Sequence, residues 1–184
     1  MKGMKLAFVG CLRSGKDTAA DYFVKNHDFK AFSFGSGIAD VIHRYFPDAF
    51  EEGKPRKHYQ VIGQAFRELN PDIWVEMLEE KLKKTWAENP DTNVVITDLR
   101  QINEYERLKQ LGFTIIKVEA SVTKRIQRIE AMGDVFSMEQ LTHETEIQAE
   151  KCPYDHLIVN NSSLEDLYHQ LKLLAKKLQE EGGE

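Results

Sequence analysis

A three-layer α/β sandwich, with a mostly parallel five-stranded sheet between helices, is the fold class this sequence predicts. Three observations carry it. Short apolar runs alternate with amphipathic helical stretches, and strands that alternate with helices make a parallel sheet covered on both faces. A glycine-bounded segment, Gly10-Cys11-Leu12-Arg13-Ser14-Gly15-Lys16-Asp17-Thr18, joins the first apolar run to the first helical pattern. No repeat, low-complexity tract or flexible linker interrupts the 184 residues. That length suits a single domain, 1–184, with a core large enough to need neither disulfides nor a structural metal.

The elements follow from local pattern. Leu6-Ala7-Phe8-Val9 is the first strand, and Lys16 to Lys25 reads as a helix with Ala19, Ala20, Phe23 and Val24 on one face. Phe29 to Phe34 is a short strand, Ile38 to Phe46 a helix, Glu51 to Arg56 a loop around Gly53 and Pro55, and His58 to Leu69 a further helix. Asn70-Pro71 predicts a helix start, an Asn cap followed by Pro in the first turn. The stripe Ile73, Trp74, Met77, Leu78 and Leu82 continues it until Asn89-Pro90. Asn93 to Thr97 is a buried strand, Ile102 to Leu111 a helix stopped by Gly112, and Phe113 to Val118 a strand. Thr123 to Met132 and Met138 to Lys151 read as polar helices, and His156 to Val159 as the last strand. Ser162 or Ser163 caps a final helix carrying Leu164, Leu167, Tyr168, Leu171, Leu174 and Leu178.

The chemistry concentrates in the glycine-bounded segment. Strand, glycine loop, lysine, helix is the phosphate-binding loop (P-loop) of nucleoside triphosphatases and kinases, which makes the predicted sandwich P-loop NTPase-type. Glycine lets successive N–H groups converge on one anion, and the helix opening near Gly15 adds free N–H groups and the positive end of its dipole. Gly10, Arg13, Ser14, Gly15, Lys16, Asp17 and Thr18 are therefore the candidate nucleotide-binding residues, with Lys16 following charge on the β- and γ-phosphates. Where the usual pattern has Ser or Thr after Gly-Lys, this chain has Asp17 and then Thr18. Asp17 either serves magnesium, directly or through water, or only complements the helix N-terminus.

Val94-Val95-Ile96-Thr97-Asp98-Leu99-Arg100 is a second constellation, an apolar strand ending in a carboxylate and a guanidinium. Ligands bind at the carboxyl edge of parallel sheets, so this strand end and the loop meet at one site. Asp98 orients magnesium with Asp17 and Thr18, and Arg100 pairs with a substrate phosphate. The bland alternative is that Asp98 caps the next helix and Arg100 makes a surface ion pair. The long helical insertion at 35–88 carries Arg56, Gln60 and Arg67, which suit an acceptor's phosphate and organic part. Trp74 reads as core. The helices at 121–151 are lid-like; Lys124, Arg125 and Arg128 share a face that would close over the transferring group.

Composition narrows the partners. Net charge is −5, and no basic stripe appears, which argues against nucleic acid and anionic membranes. No apolar run approaches the ~20 residues needed to span a bilayer. The start of the chain leads directly into a strand without a secretory signal, and Cys11 and Cys152 lack metal-ligand spacing, so a reduced, cytoplasmic chain is expected. His143-Glu144-Thr145-Glu146 lacks the second histidine of a helical zinc motif. Oligomeric state is not readable.

These residues together resemble the P-loop nucleoside monophosphate kinases, and most closely the deoxynucleoside monophosphate kinases of phages and bacteria. The likeness lies in Ser-Gly-Lys-Asp-Thr at 14–18, in Pro55 to Trp74 with Arg56, Gln60, Gly63 and Arg67, and in Asp98-Leu99-Arg100-Gln101-Ile102-Asn103-Glu104. It closes on His143 to Glu146 with Asp155 to Asn161. The resemblance implies ATP with Mg²⁺ as donor and a (deoxy)nucleoside 5′-monophosphate as acceptor. It also implies that Arg56 and Arg67 hold the acceptor phosphate and that Arg125 and Arg128 act in a lid. Where that family has an aromatic-proline pair after the arginine, this chain has Gln101-Ile102. Two rivals share the sequence signals: another small-molecule kinase of the same frame, such as a dephospho-coenzyme A or phosphomevalonate kinase, and a non-catalytic nucleotide-binding regulator.

Overall fold

The computed structural model describes residues 3–51, 53–131 and 144–181. Five strands, β1 (Lys5–Val9), β2 (Phe29–Phe32), β3 (Asn93–Leu99), β4 (Thr114–Glu119) and β5 (His156–Val159), form one sheet in the order β2-β3-β1-β4-β5. Every pairing is parallel. The helices are α1 (Lys16–His27), α2 (Gly35–Tyr45), α3 (Arg56–Leu69), α4 (Ile73–Glu88), α5 (Ile102–Gln110), α6 (Val122–Ala131), α7 (Glu144–Lys151) and α8 (Leu164–Glu181), with a 3₁₀ turn at Pro47–Phe50.

Alternation along the strands explains the layers. Leu6 and Phe8 of β1, Val95 of β3, and Ile116 and Val118 of β4 pack on one face with α1 and α8, through Ala19, Ala20, Phe23, Leu167, Leu171 and Leu178. Ala7, Val9, Val94, Ile96 and Ile115 point to the other face, against Val75, Leu78 and Leu82 of α4, Leu108 of α5 and Ala149 of α7. With both faces covered, the strands read as continuous apolar runs, as a parallel sheet requires. A third cluster lies within the insertion, where Ile38 and Ile42 of α2 meet Trp74 of α4. Trp74 is core there; its Nε1 donates to the Gly63 carbonyl at 3.1 Å and its ring stacks on Phe66.

Several boundaries differ from the sequence expectation. Asn70 does not cap α4. Its side chain instead accepts the Asp72 N–H at 3.0 Å in a tight turn, and Asp72 takes the cap position. Of the two candidate caps for α8, Ser163 serves: its hydroxyl accepts the Asp166 N–H at 3.1 Å and donates to the Asp166 carboxylate at 2.9 Å. α2 begins three residues early, at Gly35. The expected helix at 138–151 is described from Glu144 onward; its earlier part, and Met132, lie outside the described residues. β3 runs on to Leu99, so Asp98 sits inside the strand and not just beyond it. Opposite β1, the register moves from Ala7↔Ile96 to Val9↔Leu99. Two steps of one strand thus face three of the other, a bulge that re-aims the residue at position 98. Among the described residues, no helix is long and apolar enough to cross a membrane.

Candidate active site

The site lies at the carboxyl edge of the sheet. β1 ends at Val9 beside Leu99 of β3 on one side and Lys117 of β4 on the other. The loop from Gly10, the Asp98–Arg100 segment, the start of α6 and Asn160 after β5 therefore emerge along one rim. This is where a parallel sheet offers its ligand crevice.

The loop is held from below by its own backbone and from the side by α6 and β5. Arg13 and Gly15 take positive φ values of 61° and 100°, the local curl that turns successive N–H groups inward. Gly10 touches β4 so closely that a Cβ there would lie 2.6 Å from Ser14 Oγ and clash with the Val118 carbonyl oxygen. A Cβ on Gly15 would strike the Asn160 amide. Arg128 donates to the Arg13 and Ser14 carbonyls, each at 3.1 Å, and to the Asn160 carbonyl at 2.9 Å. Asn160 Nδ2 donates to the Ser14 carbonyl at 2.8 Å. Arg125 Nε donates to the Leu12 carbonyl at 2.7 Å. Arg125 and Arg128, expected over the transferring group, thus spend these donors on the loop itself.

Two features of the loop suit a polyanion. α1 opens at Gly15 with no side-chain cap, so its first N–H groups are available to a ligand. The Ser14 hydroxyl is buried without a hydrogen-bond partner among the described residues. Lys16 is 4% exposed. Burial pushes its ammonium below the ordinary lysine range, against the pull of Asp17, and the Arg100 guanidinium lowers it further. Asp17 is exposed with its carboxylate 3.7 Å from the Lys16 Nζ, and Thr18 is half-buried beside it.

The bulge aims Asp98 at the start of α2. Its two oxygens accept the Phe34 N–H at 2.8 Å and the Gly35 N–H at 2.9 Å. It therefore caps a helix, but α2 and not the α5 that follows it. Burial raises the Asp98 carboxyl above the usual aspartate range, outweighing these N–H groups and the cations Arg100 and Lys16. Of the acceptor-site residues expected from sequence, Arg67 faces this group: burial depresses its guanidinium, while Glu104 and Asp98 support its charge. Gly63 sits at the crossing of α3 with α2, where a Cβ would lie 3.0 Å from Ile38 Cδ1 and 3.3 Å from Arg67 Nη1. Arg56 and Gln60 stand exposed on the earlier turns of α3.

Three residues beside the site were given no role by the sequence reading, although each lies in a stretch that carries the family resemblance. Glu104 is 4% exposed and accepts the backbone N–H groups of Arg100 and Gln101 at 2.9 and 3.0 Å, so it caps α5 and fixes the peptide that carries Arg100. Burial, reinforced by Asp98, pushes its carboxyl up to about 7. Gln101 and Glu104 form a capping box, with Gln where the sequence signature has Ser or Thr. Asn160 follows a strand at the ligand-bearing edge, which was signal enough to test it. Glu146 accepts the Leu12 N–H at 2.5 Å and pairs with Arg100 at 3.1 Å and Arg125 at 3.3 Å. It ends the stretch from His143 to Glu146 that carries part of the family resemblance, but that stretch assigned it no role.

The arrangement brings Lys16, Arg67 and Arg100 near one strand carboxylate, Asp98, beside the phosphate-loop geometry. A family model for deoxynucleotide monophosphate kinase matches residues 56–171. The chain belongs to this deoxynucleotide monophosphate kinase family. Its fold is that of the P-loop kinases. Among relatives, ORF77 of Ictalurid herpesvirus 1 (strain Auburn), an uncharacterized protein, is 32% identical over 119 residues. That alignment covers 64% of this chain and 51% of the viral protein, so the chain spans about half the length of that relative. A protein of Acanthamoeba polyphaga mimivirus, assigned by name to the deoxynucleotide monophosphate kinases, is 26% identical over 90% of this chain and 93% of its own. The fold also matches solved structures. TT1252 from Thermus thermophilus superposes with a TM-score of 0.65 at 18% identity, covering 97% of this chain and 99% of that one. Shikimate kinase from Aquifex aeolicus gives 0.51 at 15% identity, covering 96% and 98%.

Proposed function

We propose that this kinase moves the γ-phosphoryl group of ATP to a (deoxy)nucleoside 5′-monophosphate. The observation that carries the reading is the convergence at one sheet edge of two cation sets with one carboxylate between them. Lys16 and the loop amides serve the donor, Arg67 and Arg100 serve the acceptor, and Asp98 interacts electrostatically with all three side chains. Phosphoryl transfer asks for little covalent chemistry; alignment and charge neutralisation supply the rate. Lys16, held in a pocket that partly desolvates it, follows the charge that builds on the β–γ bridge. Arg67 and Arg100 hold the acceptor phosphate against its own repulsion from the donor. The insertion at 35–88 forms the acceptor side of a single domain, and Arg56 and Gln60 engage the acceptor on closure.

Magnesium fits this donor set. No group of three His, Cys, Asp or Glu side chains among the described residues could cage a metal. Mg²⁺ needs no such cage, because it keeps several waters and takes its remaining ligands from one or two protein oxygens and the phosphates. Asp98, Thr18 and Asp17 would hold it, and it would neutralise charge on the triphosphate.

The test is ATP consumption with each of the common ribo- and deoxyribonucleoside monophosphates, and with dephospho-coenzyme A and phosphomevalonate as competing acceptors. ADP release that depends on a nucleoside monophosphate supports the reading. Release with only a non-nucleotide acceptor, or ATP binding without any acceptor-dependent release, defeats it.

A further inference from the structure

Two arginines beside one loop repel each other unless something lies between them. Here the Glu146 carboxylate does. One oxygen accepts from Arg100 Nη1 at 3.1 Å; the other accepts from Arg125 Nη2 at 3.3 Å and from the Leu12 N–H at 2.5 Å. The carboxylate side chain is 5% exposed. The two guanidiniums are not equivalent. The Arg125 side chain is 9% exposed, with its Nε already on the Leu12 carbonyl. The Arg100 side chain is 35% exposed, and its one side-chain hydrogen bond among the described residues is to Glu146.

We infer that Glu146 is a positioning residue. It anchors Arg100 by a single arm to the phosphate loop and so aims the remaining donors of that guanidinium at the acceptor phosphate, holding it in line for transfer. Arg125 and the Leu12 N–H hold the carboxylate, and the carboxylate holds Arg100. Glu146 touches neither substrate; it acts through Arg100 alone. This also gives α7 a function, since its Glu146 joins that helix to the loop.

The inference rests on the phosphotransfer reading, and the experiment separates their failures. Transfer from MgATP to an equimolar mixture of dAMP, dCMP, dGMP and dTMP is measured for wild type, E146Q, R100A and the double variant. MgATP affinity is measured alongside by calorimetry. The expected result is a kcat at least about tenfold lower in E146Q, with ATP affinity changed by less than about threefold, and less than about threefold further loss when E146Q is added to R100A. The same E146Q penalty in both backgrounds would mean a merely structural carboxylate and would overturn the inference alone. A wild type that transfers neither to these four nor to any of the common ribonucleoside monophosphates removes the phosphotransfer reading and this inference with it. If E146Q does not fold, the cycle is run with E146D, whose carboxylate keeps its charge but falls one methylene short; the same non-additivity is expected and an additive cycle is again fatal.

Discussion

At the residue scale, the proposed transfer divides its work between Lys16 and Arg67. Lys16→Ala should leave the fold intact and lower kcat by about 10²–10³-fold, the cost of losing one fixed electrostatic contact to a developing charge; near-normal turnover would remove it from the transfer step. Arg67→Ala should raise the acceptor KM by about tenfold with a smaller effect on ATP, as befits loss of one charge-assisted phosphate contact. Glu104 yields a pH effect. Its folded value, about 7, lies above the ordinary 4.5 because burial, then Asp98, disfavour the charge. The native state therefore keeps a proton that the unfolded chain has already released, and the stability this group contributes is present below pH 4.5 and lost as pH rises through 7. Glu104→Gln keeps an acceptor for the two N–H groups and removes the titration. The melting-temperature difference between variant and wild type should widen in the variant's favour across that window, and a constant difference would refute the assignment. The placement of Lys16 and Asp98 at one sheet edge was legible because it follows from a recognisable loop and strand. Glu146 was not, because its meaning comes from three partners far away in the chain.

Elements explain why some boundaries were readable and others were not. β1, β3 and β4 are apolar on both faces, and that pattern has only one physical interpretation in a chain of alternating strands and helices. The bulge in β3 left no such trace, because its cause is the register with β1 and not the composition of β3. It converts a residue beyond a strand into one within it, aimed at the α2 N-terminus. The turn before α4 misled for a local reason: Asn70 satisfies a backbone N–H two residues on, which competes with capping. The loop itself depends on a close approach to β4. Gly10→Ala would force a methyl group against the Val118 carbonyl and Ser14 Oγ. It should weaken MgATP binding at least about tenfold by calorimetry, equivalent to ~1.4 kcal/mol. An unchanged affinity would show that the loop can retreat without cost.

Across the whole molecule, two cores on opposite sheet faces set stability, and the proposed site occupies the rim between them. Leu171 of α8 is 0% exposed within the first of these cores. Leu171→Ala should cost about 2–5 kcal/mol in urea unfolding, the range for truncating a fully packed leucine; a loss under ~1 kcal/mol would mean that α8 adheres only loosely. The class of fold was readable because it is a property of the entire pattern, and the convergence of loop and strand end followed from it. The support of the loop was not readable, since it joins residues from opposite ends of the chain. Asn160 bonds the Ser14 carbonyl, and Arg128 bonds both. During synthesis, the amino-terminal glycine segment leaves the ribosome long before the asparagine that braces it. A nascent chain should therefore be unable to hold nucleotide until β5 and Asn160 have emerged, so that ligand-assisted folding can act only after that strand has been made.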